Sequence, residues 1–133
     1  MRNVIQTLKQ GSQVQTNSNK SVARPYFEAM ENRQNTEKFS SGVNKAYWAW
    51  YYSDCQGEII CDTMWNKEVH DFVSTMREAG VKSFIYIDKS TALMGNLHAF
   101  VKEGCEISNL VVIEEGEGMF YRKIEGIRIR INR

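Results

Sequence analysis

Apolar residues recur at a three-and-four spacing over residues 64–79, where Trp65, Val69, Phe72, Val73 and Met76 fall on one stripe. The spacing predicts a helix there, opened by Asp62 or Thr63 as cap. Gly80 can take the left-handed conformation that closes it, with Val81 folding back against Met76. Residues 83–88 (SFIYID) are short, β-branched and aromatic on both faces, the pattern of an interior strand. Leu93, Met94, Leu97, Phe100 and Val101 form a second helical stripe between a cap at Ser90 or Thr91 and a stop at Gly104. Two capped amphipathic helices around a buried strand need a sheet to pack on, so the pattern predicts a single α/β domain.

The flanking segments extend this unit. Residues 45–54 (KAYWAWYYSD) alternate densely aromatic positions, and with residues 58–61 they predict a hairpin turned at Gln56 and Gly57. That pairing sets Trp48, Trp50 and Tyr52 on one face. Residues 107–115 predict a further strand, residues 116–118 a glycine-flanked turn, and residues 119–131 a long last strand. In the last, Ile127, Ile129 and Ile131 share one parity while Phe120 and Ile124 have the other, so a β-bulge near Glu125 and Gly126 is expected to bring both sets inward. Towards the N-terminus, Pro25 opens a helix reaching Arg33, residues 11–21 read as a polar linker, and residues 1–10 as a short helix. The expected organisation is an arm and linker over residues 1–22 and one α/β (α+β) domain over 23–133, with a mixed sheet of about five strands.

A chain of 133 residues can build one core of this kind. No apolar run approaches the roughly 20 residues that cross a bilayer, and the N-terminus lacks a signal-peptide core, so a cytoplasmic protein without a membrane partner is expected. Cys55, Cys61 and Cys105 lack CxxC spacing and read as packed thiols in a reducing compartment. A formal charge of +1 gives neither the basic excess of a dedicated nucleic-acid binder nor the acidity of a nucleic-acid mimic.

The stretch REAGVKSFIYIDKSTALMGNLHAFVKEGC, followed by the terminal GIRIRIN, resembles a family of small uncharacterised proteins from gut Firmicutes, often encoded in mobile elements. The resemblance covers roughly residues 45–132 and implies a shared domain and a mobile-element setting, with no activity attached.

Candidate chemistry is sparse. Asp88, Ser90 and Thr91 stand where a strand ends and a helix begins, a place where α/β proteins bind ligands but where the same residues also make an ordinary cap. His70 and His98 have no companion at metal spacing, the acidic run Glu114, Glu115 and Glu117 lacks the spacing of a calcium loop, and neither a cofactor nor a metal is indicated. Cys105 would need a base nearby to act as a nucleophile. The stronger features are the aromatic run with Trp48, Trp50 and Tyr52, and the arginines Arg122, Arg128 and Arg130 of the last strand. Together they point to a non-catalytic protein-interaction module with a protein partner, its mobile-element version an anti-defence inhibitor of a host nuclease. The alternatives are a nucleic-acid binder that stacks bases and holds phosphate with these groups, and a small enzyme at the Asp88 corner.

Overall fold

The computed structural model describes residues 18–53 and 57–132, together with the backbone of residues 5–9. In chain order the elements are β1 (Ile5–Lys9), α1 (Asn19–Arg33), α2 (Ser41–Tyr52), β2 (Ile60–Asp62), α3 (Val69–Glu78), β3 (Ser83–Ile87), α4 (Leu93–Lys102), β4 (Cys105–Glu115) and β5 (Arg122–Ile131). Short 3-10 turns at Asn66–Glu68 and Gly118–Phe120 precede α3 and β5. The sheet order is β1-β4-β5-β3-β2. β2 runs parallel to β3, and β5 lies antiparallel to both β3 and β4. These four strands form the mixed sheet whose side chains are described, with the backbone of β1 parallel along β4. The α/β class expected from the sequence is the one observed.

The central unit folds as its pattern dictates. Gly80 has φ 88°, its N–H donates to the Arg77 carbonyl at 3.1 Å and the Val81 N–H to the Met76 carbonyl at 3.0 Å, the paired bonds of a Schellman ending. Phe72 of α3, Phe84 of β3 and Phe100 of α4 meet edge to face, with centroids 5.1 and 5.4 Å apart along that chain. All four helices contribute to this core, which covers one face of the sheet through Cys61, Phe84, Tyr86, Ile129 and Ile131. No helix of the described residues is long and apolar enough to cross a membrane.

Four expectations are corrected. The predicted first strand of the hairpin is the helix α2: Ala46, Tyr47, Ala49 and Trp50 are buried at helical spacing, and the Ser40 side chain caps the start by accepting from the Val43 N–H at 3.3 Å. Ile60–Asp62 pairs with β3 instead, while Cys55 and Gln56 lie outside the described residues. Ile5–Lys9 is a strand and not a short helix. α1 starts at Asn19, where Ser18 Oγ accepts from the Ser21 N–H at 3.1 Å, and Pro25 lies within it; residues 11–17 of the expected linker are outside the described residues.

The fourth correction concerns the bulge, which falls in β4. The pairing steps from Ile107 opposite Ile129 to Asn109 opposite Arg128, while β5 keeps its parity throughout. Ile127, Ile129 and Ile131 therefore face the helices, whereas Ile124 joins Ile85, Val111 and Ile113 in a second apolar cluster on the opposite face. Two clusters, one per face, remove the need to turn both sets of residues the same way.

Close packing of α2 against the start of α3 makes Gly42 a sensitive position. A Cβ there would stand 2.5 Å from the Glu68 carbonyl oxygen and 2.8 Å from Asp71 Cβ. Alanine gains about 1 kcal/mol of helix propensity, but forcing two backbones apart costs about 1–3 kcal/mol. Gly42→Ala is expected to lower the urea unfolding midpoint at unchanged m-value, and an unchanged or higher midpoint would refute this packing.

Candidate functional site

The helical form of the aromatic run changes which residues can act together. Trp50 is 4% exposed, stacked on Phe27 with centroids 5.3 Å apart. Its indole N–H donates to the Lys20 carbonyl at 3.0 Å, and the Lys20 ammonium lies 5.0 Å from the ring centroid. It is a core residue. Trp48 and Tyr52, one helical turn apart, stack on each other on the outer side of α2, with centroids 5.5 Å apart and planes 23° from parallel. They are 46% and 73% exposed.

α2 is fixed in this position from its C-terminal end. The Lys20 ammonium donates to the carbonyls of Trp50, Tyr51 and Ser53, the last two at 3.1 and 2.5 Å, where a helix leaves oxygens without intrahelical partners. Ser53 then joins the helix to the sheet. Its hydroxyl donates to the Ala49 carbonyl at 2.5 Å and accepts from the Ile60 N–H at 2.7 Å. Ile59 O bonds to the Ile85 N–H across the parallel ladder, so Ile60 turns its polar groups to the free edge of β2, where Ser53 meets them. That contact blunts the sheet edge against strand addition.

Between the outer side of α2 and the sheet face opposite the core helices lies a cleft of about 670 Å³. Trp48 and Tyr52 form one lip, Ile60, Ile87, Ile113 and Ile124 line the apolar interior, and Lys45, Lys89 and Arg122 reach the rim. Two of these cations are already engaged: the Lys45 ammonium meets Asp62 Oδ1 at 2.6 Å, and Arg122 pairs with Glu115. Burial pushes the Lys45 ammonium down, but its hydrogen bond to Asp62 and the acidic groups around it together outweigh burial and leave it above its ordinary value, so it stays charged. Lys89 has no ion pair among the described residues.

The cleft thus joins Trp48, Tyr52 and Arg122 of the sequence-predicted set. Trp50 does not belong to it. Arg128 and Arg130 share the face opposite the core helices but lie outside the cleft, paired with Glu58 at 2.5 Å and Glu106 at 3.9 Å. Every arginine of the stripe has a carboxylate partner. The isoleucines of the cleft and Lys89 were missed by sequence reasoning, because their convergence depends on the strand order and no local spacing encodes it.

The Asp88 corner is a closed network. Asp88 Oδ1 accepts from the Ser90 N–H at 2.8 Å and its hydroxyl at 2.6 Å, and Oδ2 accepts from the Tyr86 hydroxyl at 2.6 Å. Asn96 donates to the Tyr86 oxygen at 2.9 Å and the Met64 carbonyl at 2.8 Å, tying α4 to β3 and to the start of α3. Burial pushes the Asp88 carboxyl up, but hydrogen bonds from Ser90, Tyr86 and Thr63 hold it below its ordinary value. Thr91 is exposed, and the Ser90 hydroxyl accepts from the Ala92 N–H at 3.1 Å, as a turn leading into a helix requires. The geometry is that of a scaffold joint.

The remaining candidates also have ordinary roles. His70 meets Glu103 Oε1 at 2.7 Å and links α3 to the end of α4. Cys61 and Cys105 are buried; burial raises both thiols, Cys105 to about 11, which keeps them protonated and unreactive near neutrality. Glu114 accepts from the Tyr121 hydroxyl at 2.8 Å, and no group of three or more potential metal ligands occurs among the described residues.

Residues 45–131, which run from within α2 through β5 and contain both walls of the cleft, match a domain family of unknown function, DUF7698. The chain belongs to this family. Neither the curated proteins nor the solved structures give a match. The family boundary falls at Lys45, on the cleft rim, so the DUF7698 domain includes the cleft and leaves α1 outside.

Two stability measurements test the joints that hold this site. Ser53→Ala leaves a part-buried backbone N–H at Ile60 without its partner and is expected to cost about 1–3 kcal/mol in chemical denaturation; a change within error would show that the edge contact is incidental. For Asp88 the folded-state carboxyl lies low, so its contribution is complete above the unfolded value of about 4 and is lost as pH falls through the folded value. The unfolding free energy should therefore fall below about pH 4, and Asp88→Asn should flatten that fall. An identical acid slope in the variant would refute the assignment.

Proposed function

We propose that this protein is a non-catalytic protein-interaction module whose cleft between α2 and the sheet face opposite the core helices receives a segment of polypeptide. The observation that carries the reading is the stacked Trp48 and Tyr52 pair, held exposed at the lip of an apolar cleft. Aromatic anchors beside a desolvated pocket are the usual seat of binding energy in protein interfaces, and the rim supplies polar groups for orientation.

Nucleic-acid binding has less support. Stacking bases would suit the aromatic pair, but phosphate binding needs cations available to it, and Arg122, Arg128, Arg130 and Lys45 all face carboxylates. Catalysis at Asp88 has less still, since both of its oxygens are occupied by the chain's own donors. The most concrete version of the interaction reading, a mobile-element accessory that inhibits a host nuclease, rests on the family resemblance and its genomic setting alone.

Selection of displayed random peptides against the wild-type chain, followed by titration of the winners, tests the proposal. Enriched peptides should carry apolar side chains and lose at least about tenfold in affinity for a Trp48→Ala, Tyr52→Ala double variant that unfolds at the wild-type midpoint. Peptides unaffected by the double variant would refute the cleft. Single-stranded oligonucleotides bound with a steep salt dependence would favour the nucleic-acid alternative instead.

A further inference from the structure

The turn that joins β4 to β5 exposes an apolar tip. Met119 is 89% exposed and Phe120 79%, with Tyr121 half-exposed beside them. Three large side chains at one convex point, uncovered by the rest of the described chain, are unusual on a monomer's surface. The tip is acidic through Glu117, for which no ion pair is present among the described residues. The cleft is its complement: apolar inside, aromatic at the lip, with Lys89 unengaged at the rim.

We infer that the occupant of the cleft is a second copy of this chain, which inserts Met119 and Phe120 against the Trp48 and Tyr52 ledge while receiving the same residues in return. The inference rests on the reading of the cleft as a polypeptide site and names its partner.

Three observations support the exchange. Arg122, just beyond the tip, also lines the cleft, so knob and hole sit at the same end of the molecule. A two-fold axis at that end closes both contacts at once, whereas a tip and a cleft at opposite ends would propagate a filament. Second, charge is complementary, since Glu117 of each copy approaches the rim that bears Lys89 of the other. Third, the area suffices. The three tip side chains present on the order of 400 Å²; matched by the cleft and doubled by symmetry, this reaches about 1,600 Å², the size of a standard specific interface.

The test uses the full chain with p-benzoylphenylalanine in place of Phe120, mixed as isotope-labelled and unlabelled copies, irradiated and mapped by mass spectrometry. Crosslinks are expected between labelled and unlabelled copies, at α2 or Ile124. Sedimentation across a micromolar concentration series should give a wild-type dimer that is weakened at least about tenfold by Phe120→Ser and by the Trp48→Ala, Tyr52→Ala variant, both at exposed sites. A monomeric wild-type chain, crosslinks confined to one copy, or variants that dimerise like the wild type would overturn the exchange. If the chain is monomeric while cleft variants still lose selected peptides, only self-association fails; if the peptides are also unaffected, the cleft reading fails with it.

Discussion

The position of α2 rests on one ammonium group. Lys20 reaches from the first turn of α1 to the carbonyls at the end of α2 and places its charge over the Trp50 ring. A helix end carries a partial negative charge and oxygens without partners, so a cation there both satisfies hydrogen bonds and opposes the dipole. With that end fixed, Ser53 can bridge to the edge of β2, and the outward side of α2 is left lining the cleft. The cleft lies between this anchored helix and the sheet.

The central helix-strand-helix unit was legible because several local signals agree. The stripe of α3, the glycine at position 80 and the apolar strand that follows each specify the same chain path, and the observed Schellman bonds add nothing contradictory. In α2 the signals conflict. Tyr and Trp favour strands, and a run such as YWAWYY has so few polar positions that alternation and helical spacing fit it equally well. Packing decided the matter: Ala46, Tyr47 and Trp50 are buried on one helical side, and Gly42 lets the start of α2 close onto Glu68 and Asp71.

The misplaced bulge has a different origin. Expecting Ile124 and Ile127 on one side assumes a single hydrophobic layer, which a sheet with an apolar cluster on each face does not have. For the arginines the same limit applies. Alternation correctly set Arg128 and Arg130 opposite the isoleucines, but their partners Glu58 and Glu106 come from other parts of the chain, and only strand order brings them across. Of the candidate site, then, residue types were readable from the sequence and their partnerships were not.

Strand lengths account for the rest of the cleft. β2 and β3 are short, and β3 pairs with β5 only from Ile127 to Arg130, so the β4–β5 hairpin continues past the body of the domain from Gly126 outward. On the face away from the core helices it bears Ile113 and Ile124; on the β5 side the pairing with β3 ends before Ile124, while the backbone of β1 runs beside β4 at Ile113. α2 stands across the cleft from this step, with Trp48 and Tyr52 at its lip. The cleft is therefore a step in the sheet with α2 as its other wall, and its apolar lining follows from the hairpin's projection. Substitutions that shorten the hairpin would remove tip and floor together, whereas substitutions on α2 would alter the lip alone, so the two walls can be changed independently.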